Sequence, residues 1–271
     1  MSPSDADNPV AYSNHMFAAL RNLRDLEERE FRGVITGMLD PTLRERIVTL
    51  NYHRAAFNVE TILALPNSRH FQGTAMLARA IFEDAVELKL ISLNPDAAEK
   101  IDAVTRIERL RAAQDVVAFM GSHPDIEVHA ELYQKYIDKE GAAIMGEQQR
   151  LWPGNNHVNH WLNKKMAKRI EGLGEPFERI YEAHYPQLSW YSHSGVTGVW
   201  NVSGEMLAAL VGICYQIAVE SYMQILEMLV NEFRLSVHDG KLKDKIQYAK
   251  FVAFAQNQVE ADAVMRVHGL G

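Results

Sequence analysis

Apolar residues recur at three- and four-residue intervals along nearly the whole chain, the spacing of one face of an α-helix. Alternating apolar and polar runs bounded by Asn-Gly or Asp-Gly turns, the mark of hairpins, are almost absent. The pattern predicts a first helix from Ser13 to about Leu39, carrying Met16, Phe17, Leu20 and Leu23 on one side. Its middle, RDLEEREFR, reads as a solvated face of i,i+4 charge pairs. Asp40 and Pro41 then read as the N-cap and first residue of a second helix that ends near Pro66. A third runs from about Ser68 to Leu93, and Asn94-Pro95 opens a charged fourth that ends at Gly121. A fifth, from Pro124 to Arg150, is expected to be interrupted at Gly141 and Gly146. His157 to Ile170 reads as a short basic helix after the loop LWPGNN.

Glu175 to Gly195 reads as one further helix. Val202 to Phe233 is the longest, and Asp239 to His268 closes the chain. No repeat of 20–50 residues appears. These elements predict an all-α, single-domain helical bundle over residues 13–271 with one long central helix in its C-terminal half. Residues 1–12, polar and acidic with no apolar stretch, are expected to be disordered and not a signal peptide.

Composition changes this picture little. Of 271 residues 47% are hydrophobic and 23% charged, enough for a sizeable core. The net charge of −7 disfavours a general nucleic-acid coat but leaves room for a local basic groove such as Lys164, Lys165, Lys168 and Arg169. The single cysteine, Cys214, sits in an apolar run and reads as a buried hydrophobe, so a reducing, cytoplasmic setting is expected. The run Met206 to Val219, broken by Gly212 and Gln216, is too short for a bilayer span of about 20 residues, so no membrane is expected.

Two stretches carry chemistry. In EPFERIYEAHYPQLSWYSHSG, Tyr181, Tyr185, Ser189 and His193 stand four apart and predict one stripe on a helix. In LARAIFEDAVELKLI, Arg79, Glu83 and Glu87 share a face within apolar sequence. Together they suggest a semi-buried polar pocket. There His193, titrating near neutrality, would act as base, and Ser189 and Tyr185 would donate hydrogen bonds. Arg79 would clamp a phosphate or carboxylate, with Glu83 orienting its guanidinium. No G-x-S-x-G elbow, E-x-x-H pair or H-E-x-x-H motif is present, so no metal or cofactor is expected; His157-x-x-His160 has no acidic neighbour. Trp152 and Trp161 read as buried anchors more readily than as base-stacking platforms.

The order Arg79-x-x-x-Glu83, then Trp161 with Lys164 and Lys165, then Tyr181-x-x-x-Tyr185-x-x-Leu188-Ser189-x-x-x-His193, resembles a bacterial all-helical family of unknown function. The resemblance spans roughly Thr74 to Arg234 and implies a fold and a shared polar pocket, with no activity attached. A second resemblance is to HEPN-type ribonucleases, in which an R-x(4–6)-H motif from two protomers cleaves RNA without metal. Arg179…His184 has that spacing, with Ile180 where those enzymes carry a polar residue. Arg46…His53 and Arg150…His157 have it too. The leading expectation is a defence or stress protein, self-associating, binding a phosphate-containing ligand, RNA among the candidates. The competing one is a non-catalytic interaction protein in which the same residues form a buried polar network.

Overall fold

The structure, a computed structural model, describes residues 8–65, 70–123, 130–155, 157–192, 204–232 and 241–254. The fold is all-α, and no strand occurs among the described residues. Helix α1 spans Pro9–Glu27 and passes into a π-helical turn, Glu28–Arg32, and then α2, Gly33–Thr36. Helix α1 begins at Pro9, ahead of the expected Ser13, because Asn8 caps it. The Asn8 carboxamide oxygen accepts from the N–H groups of Val10 and Ala11 at 3.0 and 3.2 Å, and Pro9 supplies the first helical residue.

Helix α3 spans Leu43–Ala64. Its N-cap is Thr42, where Asp40 was expected. Thr42 and Glu45 form a reciprocal capping box, which satisfies two otherwise orphaned donors. Asp40 instead takes a left-handed conformation, φ 50°, in the preceding turn. Helix α4 spans Phe71–Leu93. Helices α5, Ala97–Ser122, and α6, Ala130–Leu151, follow. Helix α6 passes through Gly141 and Gly146 without interruption. At Gly141 a Cβ would stand 3.6 Å from Leu110 Cδ1, an ordinary van der Waals distance, so the α5–α6 packing does not depend on the glycine.

The expected helix His157–Ile170 shrinks to α7, Met166–Ile170. Its N-terminal part is held in turns by bonds that consume helical backbone carbonyls. Arg111 Nη1 donates to Val158 O at 2.9 Å, and the Trp152 indole N–H donates to Trp161 O at 3.0 Å. Asn163 sits at φ 50°, a conformation asparagine tolerates but a helix does not. Both tryptophans are buried, as anchors.

The expected helix Glu175–Gly195 is two: α8, Phe177–Ala183, and α9, Tyr185–Ser192. Pro186 causes the break. It has no N–H to return to Glu182 O, and it disfavours helical geometry in the residue before it. His184, φ −127°, absorbs the kink, while the His184 and Leu188 N–H groups still reach back four residues, to Ile180 and His184.

Helix α10, Gly204–Glu232, is the long helix the pattern predicted. Helix α11 spans Leu242–Phe254. By length and composition α10 would also reach across a bilayer, but 61% of its most apolar window is buried inside the fold, as suits a core helix.

The chain divides into two compact units. Residues 1–93 and 170–271 make the first, in which α10 packs on α1 and α4, α3 and α9 pack on α4, and α11 packs on α1 and α10. Leu20, Leu23, Phe31, Tyr52, Ile62, Phe82, Ile91 and Tyr222 fill its centre. Residues 94–169 make the second, built on the α5–α6 pair. That pair is laced by Arg106–Glu147 at 2.7 Å and Arg150–Glu99 at 2.6 Å.

Candidate functional site

Helix α4 sets Arg79 and Glu83 one turn apart, and the kink at His184 turns Tyr185, the first residue of α9, toward them. Three hydrogen bonds close a ring. Arg79 Nε donates to Glu83 Oε1 at 2.7 Å, Arg79 Nη2 donates to Tyr185 Oη at 3.0 Å, and Tyr185 Oη donates to Glu83 Oε1 at 2.8 Å. The guanidinium carbon also lies 4.9 Å from the Tyr185 ring centroid. Behind this ring stand Phe82 and Tyr181, with centroids 5.9 and 5.1 Å from Tyr185.

The sequence therefore picked out three residues that meet. Its grounds were spacing within each helix, whereas the contact between the helices comes from the fold. Ser189, one turn beyond Tyr185, is half-buried on the same helix. His193, the proposed base, lies outside the described residues, so the stripe Tyr181-Tyr185-Ser189-His193 is followed only as far as Ser189.

The ring is partly open, with side-chain exposures of 24% for Arg79 and 40% for Glu83. Burial, then the bond from Glu83 and its charge, push the Tyr185 hydroxyl up to about 12, with Arg79 opposing. The phenol thus stays protonated and serves as a donor at neutral pH. The Arg79 guanidinium is raised too: burial works against it, and the Glu83 carboxylate outweighs burial.

Next to Glu83 on α4, Asp84 is buried and takes Arg54 from α3. Arg54 Nε donates to Asp84 Oδ1 at 2.7 Å, while Oδ2 has no hydrogen-bond partner among the described residues. Burial pushes the Asp84 carboxyl up from 3.8 to about 6, against the pull of Arg54. Such an acid holds its proton more tightly folded than unfolded. Its contribution to stability therefore falls as pH rises from about 4 to about 6, and is level above. Urea unfolding of Asp84→Asn across that range is expected to show a flatter pH dependence than the parent.

Two further polar clusters escaped the sequence reading. In the first, Glu27 is fully buried at the end of α1. It accepts from Arg32 Nε and Nη2 at 3.3 and 3.2 Å and from the Tyr52 hydroxyl, and Arg32 Nη2 goes on to Glu60 at 2.6 Å. Arg32 is five residues after Glu27, and the intervening π-turn, with its i→i+5 repeat, brings the two into register. The charge run that read as solvated thus places its first glutamate in the core. Its signal was present: Glu27 continues the apolar series Met16, Leu20, Leu23 and precedes Phe31 at the same spacing. The Tyr222 hydroxyl is also buried, without a hydrogen-bond partner among the described residues. Burial first, then the Glu27 charge, raises its pKa well above the usual range.

The second cluster takes in the Arg179…His184 spacing. Arg179 Nε donates to Glu175 at 3.1 Å and Nη2 donates to the buried carboxylate of Glu220. Glu220 accepts from Gln216 Nε2 at 2.7 Å, and Gln216 accepts from the Tyr12 hydroxyl. Two carboxylates thus occupy Arg179. The pKa of His184 is lowered by burial and then by the Arg179 charge. Arg46 and His53 are both exposed on α3. Among the described residues no three His, Cys, Asp or Glu side chains are grouped as metal ligands.

No curated protein and no solved structure matches this chain. A family model does match, over residues 45–205, a span that contains Arg79, Glu83, Tyr185 and Ser189 and leaves out Glu27 and most of α10. The match covers more than half of the sequence, and the all-helical architecture agrees with the resemblance drawn from the R-x-x-x-E and Y-x-x-x-Y-x-x-L-S-x-x-x-H patterns. The chain belongs to DUF5677, a family of unknown function.

Proposed function

We propose that this chain is a non-catalytic interaction protein in which the Arg79–Glu83–Tyr185 ring is a polar clasp fixing α9 on α4. The observation that carries this reading is the closure of the ring. Every bond made by one member is taken up by another, and the hydroxyl is fixed as a donor rather than poised as a base. Glu83, Asp84 and Glu87 crowd the same stretch of α4 against Arg79 and Arg54, a balance that disfavours a polyanion such as RNA.

Binding of a phosphate-containing small molecule is the second reading. Arg79 Nη1 makes no hydrogen bond among the described residues, on a guanidinium held rigid from two sides and still partly exposed. A cytoplasmic setting belongs to either reading, supported by the buried thiol of Cys214. Self-association draws support from Leu50 and Phe57, which are 69% and 67% exposed one above the other on α3.

Urea unfolding of Tyr185→Phe, Glu83→Ala and the double variant tests the clasp. Each single change is expected to cost about 1 kcal/mol. The double variant should cost less than their sum, since both remove one shared bond. Additive losses would sink the clasp. A thermal shift with inorganic phosphate, present in the parent and lost in Arg79→Gln, would instead favour the ligand reading. Cleavage of labelled RNA that His184→Ala abolishes would overturn both.

A further inference from the structure

We infer that the cleft between α1 and α11 is a second site, built for a small amphipathic anion whose head is held by Arg29. Both helices belong to the first unit. The cleft has a volume of about 530 Å³, within the range of small-molecule sites. Its walls differ in chemistry. Ala19 and Leu26 from α1 face Ala249 and Val252 from α11, and these small apolar side chains make a slot for a hydrocarbon or aryl body.

Four charged residues also line the cleft: Asp25 from α1, Arg29 and Glu30 from the π-turn, and Lys245 from α11. Lys245 Nζ pairs with Glu30 at 2.9 Å, with both side chains about three-quarters buried, and ties α11 to the turn. Asp25 lies 3.8 Å from Arg24. Arg29 is different. Its Nε donates to Asp25 O at 3.1 Å, which orients the side chain. Its two terminal nitrogens make no hydrogen bond or ion pair among the described residues. The cleft thus offers two acids that each have a cation within reach and one oriented guanidinium whose outer edge is open. That edge matches a carboxylate or phosphate in bidentate geometry.

The π-turn gives independent support. Arg29 and Glu30 are both carried on it, and single-turn π segments inside α-helices concentrate at functional sites. The same turn that seats Arg32 on Glu27 also carries Arg29 in the lining of the cleft. None of the lining residues falls within the 45–205 match, so the site is independent of the Arg79 ring and of any reading of it.

Isothermal titration of the full chain with decanoate, decyl phosphate and decanol tests the assignment. At least one of the two anions is expected to bind, and decanol at least about tenfold more weakly, since it lacks the charge. Arg29→Gln should weaken the anion about tenfold, and Lys139→Gln, an exposed cation of the other unit, should leave it unchanged. Ala249→Phe should remove binding by filling the slot. Which anion binds more tightly identifies the head group. Failure of both anions to bind, equal binding of decanol, or full affinity in Arg29→Gln would each overturn the site. Arg29 is exposed, so its variant reports on binding even if Ala249→Phe does not fold.

Discussion

Glu27→Ala is expected to destabilise the first unit by about 3 kcal/mol, the lower end of the cost of breaking a buried ion pair. Glu27 is wholly removed from solvent, so its carboxylate survives there only because its partners replace water. Those partners are Arg32, through two nitrogens, and the Tyr52 hydroxyl. Removing the carboxylate leaves the Tyr52 hydroxyl buried and bare. Arg32 keeps Glu60 and is itself 36% exposed, which places the cost at the lower end of the range.

The π-turn should respond too, because the i→i+5 pairing that favours it is gone. A fall in melting temperature of roughly 10 °C is expected for a unit of this size. Circular dichroism and urea unfolding would measure it. Adding Tyr52→Phe to Glu27→Ala should recover part of the loss, because it removes the stranded hydroxyl. A loss below about 1 kcal/mol would mean that water replaces the carboxylate and that the network is not a buried one.

The helices were legible because periodicity is a local signal, and α4 and α10 stand where the pattern put them. What failed were places where one residue overrides a period. Pro186 splits a stretch that reads as continuous, and Thr42 takes the cap from Asp40 because Glu45 can answer it. Trp152 and Arg111 take carbonyls from the segment after His157, a tertiary demand that a window of sequence does not contain.

For the site, Arg79 and Glu83 could be paired from their spacing alone. Tyr185 joined them only through the fold, from 106 positions away along the chain. Glu27 and Glu220 were missed for one shared reason. The partners that hold them lie on other helices or across a π-turn, where no single window of sequence contains them.

Gly212 in the long helix should prove as intolerant as a core residue. Glycine inside a helix normally costs about 1 kcal/mol relative to alanine, so replacing it ought to stabilise. Here a Cβ would stand 2.7 Å from Tyr12 Cδ1 and 3.3 Å from Ser13 Cα. The first is too close for any real contact. The second is backbone, held by the α1–α10 packing and unable to step aside. Tyr12 cannot swing away freely either. Its hydroxyl donates to Gln216, which begins the chain of bonds through Glu220 to Arg179, and burial followed by the Glu220 charge pushes it up to about 12.

Overpacking costs of about 1–3 kcal/mol therefore outweigh the propensity gain. Gly212→Ala is expected to lose about 1 kcal/mol net. Gly212→Val, with two more methyl groups and a weaker helix preference, should lose about 3. Gly146→Ala, where nothing lies within 4 Å of the added carbon, should instead gain up to about 1 kcal/mol. Opposite signs at the two glycines in urea unfolding would separate close packing from propensity. A gain at both would mean that α1 stands farther from α10 than the Tyr12 contact requires, and the Tyr12–Gln216–Glu220–Arg179 chain would then lose its first member.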